Sequence, residues 1–291
     1  MTFARSCIAL LAGLALVGQT AALAADSGSK LLVTSGLTSI GGSAGAGLAT
    51  WALIAGYETE HQVGAATSIS NVGTGDVQLN QQAVNVGFSD RLELSFAHQS
   101  GDLGARANSP LLGSLLHLEQ DVIGIKVRVL GQAIYDQDTW RPQISVGVQF
   151  KKAENSPLPL LLGARDTSDV EFYVAATKIL LPERLLLNAT LRSTRANQLG
   201  LLGFGGPFDN SRDLQIETSV GYLLDRRTLV GVEYMSKKNR LPSSNEQDWF
   251  DAFIAYFPRK SVSVVAGYAD LGALGMLGDQ HGLYSSIQVG F

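Results

Sequence analysis

A histidine and a serine two residues apart are the side chains whose types and spacing could do chemistry in this sequence. They occur in the run His98-Gln99-Ser100. On a β-strand such residues lie on one face, so the imidazole could take the proton of the hydroxyl and make it a nucleophile. The pair shares the register of Leu94 and Phe96, which would face lipid, and the chemistry indicated is hydrolysis of lipid acyl esters.

The same pair has a plainer interpretation. A histidine at the end of an apolar strand face is typical of the lipid headgroup level. No asparagine follows Ser100, where Gly101 and Asp102 stand, so the sequence shows no third group that would orient the imidazole. We therefore predict a protein that is not an enzyme, and we keep a lipid-modifying hydrolase at His98 and Ser100 as the alternative.

Metal and cofactor sites find little support in the sequence. The four histidines are scattered, and no two have the spacing of metal ligands. The glycine-rich run at 41–47 lies in a predicted hairpin loop, with neither a Lys-Ser or Lys-Thr ending nor a following helix, as phosphate-binding loops require. The sequence predicts no metal and no cofactor.

Charge and hydropathy narrow the class of protein. The 291 residues include 22 Lys+Arg and 26 Asp+Glu, which gives a net charge of −4 and no basic footprint for nucleic acid. Charged residues make up 16%, below the roughly 25% of a soluble domain. No stretch reaches the 18 or so apolar residues of a spanning helix. The chain is apolar throughout without a continuous apolar segment.

The N-terminus predicts export. Arg5 precedes an apolar run at 8–17, and Ala22-Leu23-Ala24 follows it as a cleavage site. We predict a signal peptide at 1–24 and a single outer-membrane β-barrel domain at 25–291. Cys7, the one cysteine, would leave with the signal peptide, so the mature chain would contain no disulfide.

An alternation of apolar and polar residues with a period of two recurs along the mature chain. In 140–151, for example, Ile144, Val146 and Val148 alternate with Gln143, Ser145 and other small or polar residues. This period indicates β-strands with one apolar and one polar face, and a length near ten residues suits a tilted strand that crosses a bilayer. Fourteen candidate strands follow, near 31–40, 48–58, 62–72, 77–88, 91–99, 119–130, 140–152, 168–180, 184–195, 212–224, 227–239, 248–257, 261–271 and 282–291.

The connections distinguish a membrane barrel from a soluble sandwich. Short links such as Ser89-Asp90 and Asp225-Arg226 alternate with long ones such as 100–118 and 196–211. Short periplasmic turns and longer extracellular loops are typical of outer-membrane barrels. The sequence therefore predicts an all-β, antiparallel, up-and-down transmembrane barrel of 12–14 strands in the outer membrane of a Gram-negative bacterium.

Several segments together resemble a known family. They are "GLTSIGGSAGAGLATWALIAGY", "DVIGIKVRVLG", "PQISVGVQFKK", "LLLNATLRSTRANQLGLLGFGG", "DWFDAFIAYFPRK" and "DQHGLYSSIQVGF". With their spacing, these are similar to an uncharacterised family of Gram-negative outer-membrane proteins, domain of unknown function 3034. The resemblance implies one outer-membrane barrel domain. It implies no substrate and no catalytic residue.

The polar register of the strands predicts the residues that line the lumen. These are Arg91, Glu93, Lys126, Arg128, Arg141, Gln143, Lys151, Glu171, Asn188, Arg192, Glu217, Glu233 and Lys237. Basic residues outnumber acidic ones in this set, which would favour small anions in an open pore. The alternative is a closed polar core of paired charges. At twelve or fourteen strands the interior is too wide for side chains alone, so water or inserted loops must occupy it.

Leucine-rich loops predict an apolar extracellular mouth. The residues are Leu111, Leu112, Leu115, Leu116, Leu160, Leu161, Leu162, Leu201, Leu202 and Phe204. Such loops either admit an apolar ligand or pack on one another. We predict a passive or facilitated channel for small molecules with amphiphilic, anionic character, and a structural or partner-binding barrel remains the alternative. Expected partners are outer-membrane lipid and lipopolysaccharide, the small-molecule ligand, and the barrel-assembly machinery through the last strand ending at Phe291; nucleic acid is not expected.

Overall fold

The alternating segments form a closed antiparallel β-barrel. The structure, a computed structural model, describes residues 30–104, 116–154, 157–242, 244–274 and 277–291. The twelve barrel strands are β3 (Val63–Thr74), β4 (Val77–Phe88), β5 (Leu92–Leu103), β6 (His117–Leu130), β7 (Gln143–Glu154), β8 (Ser168–Leu180), β9 (Leu185–Thr194), β10 (Asp213–Leu223), β11 (Thr228–Met235), β12 (Trp249–Arg259), β13 (Val262–Ala273) and β14 (Asp279–Gly290).

Each strand pairs with its neighbours in chain order, and the last pairs with the first. β14 and β3 close the cylinder with Ser286 opposite Ser70, and the two hydroxyl oxygens lie 2.8 Å apart. Closure leaves no free strand edge. The predicted all-β up-and-down barrel is confirmed, at twelve strands.

The two ends of the barrel differ. At the turn end, β4–β5 and β12–β13 are joined by links of two or three residues, at 89–91 and 260–261, and the exception is the twelve-residue β6–β7 link at 131–142. At the loop end, the β5–β6, β7–β8, β9–β10 and β11–β12 connections run to about twelve residues or more, while 75–76 is short. Within the described residues no helix has the length and apolarity needed to cross a membrane.

Apolar side chains cover the outside of the barrel. Strand residues alternate between the faces, and the outward set forms a continuous exposed belt. Its members include Ile69, Leu94, Phe96, Ile123, Ile125, Val127, Val146, Phe150, Phe172, Val174, Leu191, Ile216, Val220, Val232, Ile254, Tyr256, Val264, Leu283 and Ile287. An apolar outer face over a polar interior is the arrangement of transmembrane barrels.

Two predicted strands are wrong. The segments predicted as strands at 31–40 and 48–58 are not part of the wall; they lie inside it. We call residues 30–58 the plug. Its regular structure is one small hairpin of β1 (Leu37–Thr38) and β2 (Ala44–Gly45), whose link contains part of the glycine-rich run. The apolar residues of this segment indicated correctly that it is buried. They are buried inside the lumen, however, and not on one face of a wall strand.

The plug passes into the lumen from the turn end and returns to it. Its first residues and residues 56–58 lie at the turn end, where Gly56 N donates to Ser35 O. The middle reaches strand positions nearer the loop end, where the Leu48 amide binds Glu233. Glycine is required at Gly42, where φ is +89° and an added Cβ would lie 2.7 Å from the Cβ of Ala97 on β5. The largest fully buried side chain, Trp51, belongs to this segment.

Candidate functional site: the plugged lumen

Carboxylates of the wall bind backbone amides of the plug. Glu93 on β5 accepts from Ala44 N and Ala55 N at 3.2 and 2.9 Å. Glu233 on β11 accepts from Leu48 N and Ala49 N at 2.6 and 3.1 Å. Glu217 on β10 accepts from Thr50 N at 2.8 Å. Since the plug has few strand partners, these side chains take the place of a ladder for its amides.

Donors of the wall bind the carbonyl groups of the same segment. Thr50 O accepts from Asn188 Nδ2 and Thr190 Oγ1 at 3.1 and 2.6 Å. Ala52 O accepts from Gln143 Nε2 and Ser145 Oγ, both at 2.6 Å. The same contact surface includes Gln81, Gln99, Gln149 and Gln288, each of which donates to a plug carbonyl. Polar side chains therefore hold the plug backbone, while apolar wall residues such as Leu79, Phe253 and Val265 form one cluster with Leu37, Leu53 and Trp51 of the plug.

Buried ion pairs between side chains of neighbouring strands also line the lumen. Lys126 lies 3.0 Å from Glu93 and also donates to Leu53 O at 2.8 Å. Arg192 bridges two carboxylates, at 3.2 Å from Glu171 and 2.6 Å from Glu217, and donates to Thr50 Oγ1. Lys151 pairs with Glu171 at 2.8 Å. Because these side chains are nearly inaccessible, each charge needs its partner to remain ionised.

Most of the predicted lumen residues face inward, but three basic ones do not lie in the sealed interior. Arg91 and Arg141 are exposed at the turn end, because each precedes its strand rather than belonging to it. Arg128 lies at the same end and pairs with Asp90 at 2.6 Å. Lys237 is buried beneath the loops, 3.4 Å from Glu246. Without those three residues the predicted basic excess disappears, and the anion preference derived from it has no support in the wall.

The sequence did not point to Asp251, a buried carboxylate on β12. Neither of its oxygens has a hydrogen-bond partner among the described residues, although the side chain is buried. It borders a cavity of about 30 Å³, room for about one water, between the plug and β12–β14. Gly47 permits this approach, since an added Cβ would lie 2.2 Å from Asp251 Oδ2. The described residues include no group of three or more His, Cys, Asp or Glu that could hold a metal ion.

The turn end of the plug has its own charged anchor. Lys30 Nζ lies 3.1 Å from Glu58 and 2.7 Å from Asp90, and it donates to two plug carbonyls. Burial raises the pKa of the Glu58 carboxyl to about 7, against the opposing charge of Lys30. The backbone oxygen of Phe291 accepts from Tyr57 N at 2.8 Å and from Ala65 N at 3.2 Å. The last residue of the barrel therefore holds the end of the plug.

The leucine-rich loops pack partly on one another. Leu202 and Phe204 are buried, and Leu202 joins Leu118, Leu241 and Ala164 in one apolar cluster. Leu116, Leu162 and Leu201 are half-buried, whereas Leu160 and Leu161 are exposed; Leu111, Leu112 and Leu115 lie outside the described residues. The β9–β10 loop also reaches the lumen, where Leu199 O accepts from Lys151 Nζ at 3.2 Å. The described part of this mouth is a cap over the plug.

The His98 and Ser100 pair lies on the outer surface near the loop end, above the apolar belt. His98 Nδ1 is 2.7 Å from Asp121 Oδ1 on β6, its register partner across the β5–β6 pair. Ser100 lies two residues further along the same face, opposite Glu119. The sequence alone did not reveal this contact, because strand pairing brings Asp121 to His98 from 23 residues away.

Comparison with known proteins identifies the family. Residues 34–288 match the model of a family described as "Protein of unknown function (DUF3034)". The chain belongs to this family. The match extends from residue 34, within the plug, to residue 288 in the last strand, and it confirms the family that the sequence resembles. No curated protein matches the chain.

Solved barrels share the fold at low identity. The KdgM porin in complex with disordered oligogalacturonate has a TM-score of 0.50 and 7% identity, covering 78% of this chain and 99% of that one. The NanC porin gives 0.49 and 9%, covering 77% and 98%. Outer membrane phospholipase A from Escherichia coli gives 0.43 and 9%, covering 81% and 94%. At these identities the KdgM likeness shows the fold alone.

Proposed function

We propose that the protein is an outer-membrane channel for small solutes, closed by residues 30–58 and opened when this plug leaves the lumen. The observation that carries the proposal is a wall rich in charge around a segment that is not part of the barrel. Glu93, Glu171 and Glu217 and their basic partners line the lumen on β5–β10, on one side of the plug. The plug joins the wall through 59–62, at the turn end.

Energetics favour a state in which water reaches this wall. A protein interior packed with apolar side chains is often at least as stable as one that contains buried ion pairs. The reason is that removing charges from water costs several kcal/mol for each ion. In the closed lumen part of this cost is offset, because Lys126 and Arg192 also bind the plug, at Leu53 O and Thr50 Oγ1. In a lumen that opens, the same charged side chains face water and line the path along which solutes pass. The outer apolar belt supports location in a membrane.

A disulfide between plug and wall tests the proposal. Thr177 Oγ1 on β8 accepts from Ala52 N at 2.7 Å, so the two residues are in direct contact and are the positions chosen for a disulfide. The mature chain has no cysteine of its own after the predicted cleavage. We expect Ala52→Cys/Thr177→Cys to conduct in a planar bilayer when reduced, as the wild type does, and to stay closed when oxidised.

The control disulfide joins two strands of the wall. Ser70→Cys/Ser286→Cys replaces hydroxyls 2.8 Å apart and leaves the plug unattached. It should conduct equally in both redox states. Absence of conductance from the wild type and from a chain lacking residues 30–58, or equal conductance of the oxidised and reduced plug disulfide, would refute the channel and favour a structural barrel.

A second function, hydrolysis of lipid acyl esters, is favoured by the 2.7 Å contact between His98 and Asp121. In this arrangement Ser100 would attack the ester carbonyl, His98 would take its proton, and Asp121 would hold the imidazole. Purified protein would then release fatty acid from phospholipid, and Ser100→Ala and His98→Ala would each abolish release. His117→Ala is the matched control, since His117 pairs with Asp102 nearby at 2.6 Å. No release by the wild type would exclude this function.

A further inference from the structure

A second cavity lies at the turn end, outside the sealed lumen. Its volume is about 620 Å³, within the range of small-molecule sites. Plug residues Leu31 and Val33 form one side, and Ile134, Ile179 and Leu223 form the opposite side. Ile179 and Val33 are buried, whereas Leu31 is half exposed toward the opening. The pocket is therefore an apolar recess between the plug and the wall.

Two guanidinium groups stand at the rim of this recess. Arg184 in the β8–β9 turn and Arg226 in the β10–β11 turn both border it. Arg184 donates to the carbonyl of Leu224 at 3.4 Å, and neither arginine forms an ion pair with a described residue. Asp225, the acid at the rim, accepts from Arg227 N at 2.6 Å and Thr228 Oγ1 at 3.1 Å and keeps its negative charge. The two arginines therefore leave the rim with a net positive charge.

An apolar recess with two arginines at its rim that have no ion-pair partner among the described residues suits a ligand with an apolar part and a negative charge. We propose that this pocket binds a small amphiphilic monoanion, an alkyl or aryl carboxylate, with its apolar part against Leu31 and Val33 and its carboxylate on Arg184 and Arg226. Guanidinium and carboxylate pair in a planar, charge-assisted geometry. Burying the hydrocarbon part of the ligand against the leucine and isoleucine side chains supplies affinity without directional contacts.

This site deepens the proposed channel by naming a class of solute that it would handle, and it rests on the proposed function only for that assignment. Binding itself requires no transport. A protein that binds the acid but never conducts would refute the channel and leave the site standing, and a conducting protein that binds no acid would refute the site alone.

The test is calorimetric titration of the full chain in lipid nanodiscs with 4-phenylbutyrate, with empty nanodiscs as reference. The uncharged amide of the same acid shows what the carboxylate adds. We expect the acid to bind about tenfold more tightly than the amide, the change that one charge-assisted contact gives. Arg184→Gln/Arg226→Gln should remove this difference without changing the affinity for the amide.

Two further variants separate the pocket from general charge. Leu224→Trp fills the recess from its exposed rim and should weaken both compounds at least fivefold. Arg91→Gln removes an exposed arginine at the same end that does not border the pocket, and it should bind as the wild type does. Binding no stronger than to empty nanodiscs, or an acid preference that survives Arg184→Gln/Arg226→Gln, would overturn the proposal.

Discussion

Single side chains of the wall carry contacts that secondary structure usually makes. Glu93 accepts two plug amides and also pairs with Lys126, so one carboxylate satisfies three donors. Both side chains are almost fully buried. Loss of the cation would leave a buried negative charge without its partner, which costs far more than loss of a surface ion pair.

Lys126→Met should therefore lower the free energy of unfolding by about 3–5 kcal/mol. Glu93→Gln/Lys126→Met should recover more than half of that loss, since no unpaired charge then remains. Thermal or urea unfolding in detergent, followed by circular dichroism, measures both. The surface control is Lys152→Met, whose partner Glu154 is half exposed; it should change stability by at most about 0.5 kcal/mol. Equal losses in the single and double variants would contradict the ion-pair account.

Glu58 predicts a pH dependence at the turn end. Its pKa is about 7 in the folded protein and 4.5 ordinarily, so the folded state binds the proton more tightly. The stabilisation is fully present below pH 4.5 and is lost as the pH rises to about 7. The groups around it are Lys30, Asp90 and, through Asp90, Arg128.

Glu58→Gln should consequently flatten the stability profile between pH 5 and pH 7. The difference between wild type and variant across that range is at most about 3 kcal/mol, because each pH unit between 5 and 7 contributes at most about 1.4 kcal/mol. Unfolding midpoints at several pH values, compared between the two proteins, provide the measurement. A wild-type profile parallel to that of Glu58→Gln would show that this carboxyl is not responsible.

At the scale of elements, periodicity located the strands and misplaced the plug. β4 and β8 match their predicted limits at 77–88 and 168–180, because strands with one face in lipid and one in the lumen must alternate. The segments at 31–40 and 48–58 are apolar and glycine-rich, which a strand and a buried irregular chain share. Their backbone binds side chains from many strands, and such pairing has no period in the sequence.

Of the candidate site residues, those on wall strands could be predicted from the sequence, and those that depend on strand register could not. The inward residues Lys126, Glu171 and Arg192 could be predicted from alternation alone. Asp121 could not, since its contact with His98 depends on the register of β5 against β6. The predicted basic excess of the wall disappears for two reasons. Arg91 and Arg141 lie just before their strands, where alternation does not determine direction, and Arg128 pairs with Asp90 at the turn end.

The cap at the loop end should be separable from the plug. Leu202 is buried among Leu118, Leu241 and Ala164 and does not contact the turn end. Leu202→Ser should open the β9–β10 loop to limited proteolysis at 195–212 and cost about 2–4 kcal/mol locally. The oxidised Ala52→Cys/Thr177→Cys disulfide should form as readily in this background as without the change. If the disulfide fails to form, cap and plug are one cooperative unit. Leu160→Ser, at an exposed loop position, is the matched control.

At the scale of the whole molecule, the first and last strands of the barrel are joined to each other and to the end of the plug. β14 closes on β3, and Phe291 binds Tyr57 and Ala65 through its backbone oxygen. Closure should make the barrel resist detergent, so that it migrates differently on a gel before and after boiling. Deleting Phe291 should reduce the unboiled, folded band, because Tyr57 N and Ala65 N lose their acceptor. Phe291→Leu keeps that oxygen and should retain most of the band; an equal loss would place the effect in the aromatic ring.

The path of the plug also determines the order in which the molecule can be completed. Residues 30–58 are made before every barrel strand, yet their contacts extend to Gln288, whose side-chain amide donates to Gly36 O. The plug cannot reach its final position until the last strand has been synthesised and added to the seam. Seating is therefore a late step, and a chain interrupted before β14 would expose an apolar, glycine-rich segment to proteases.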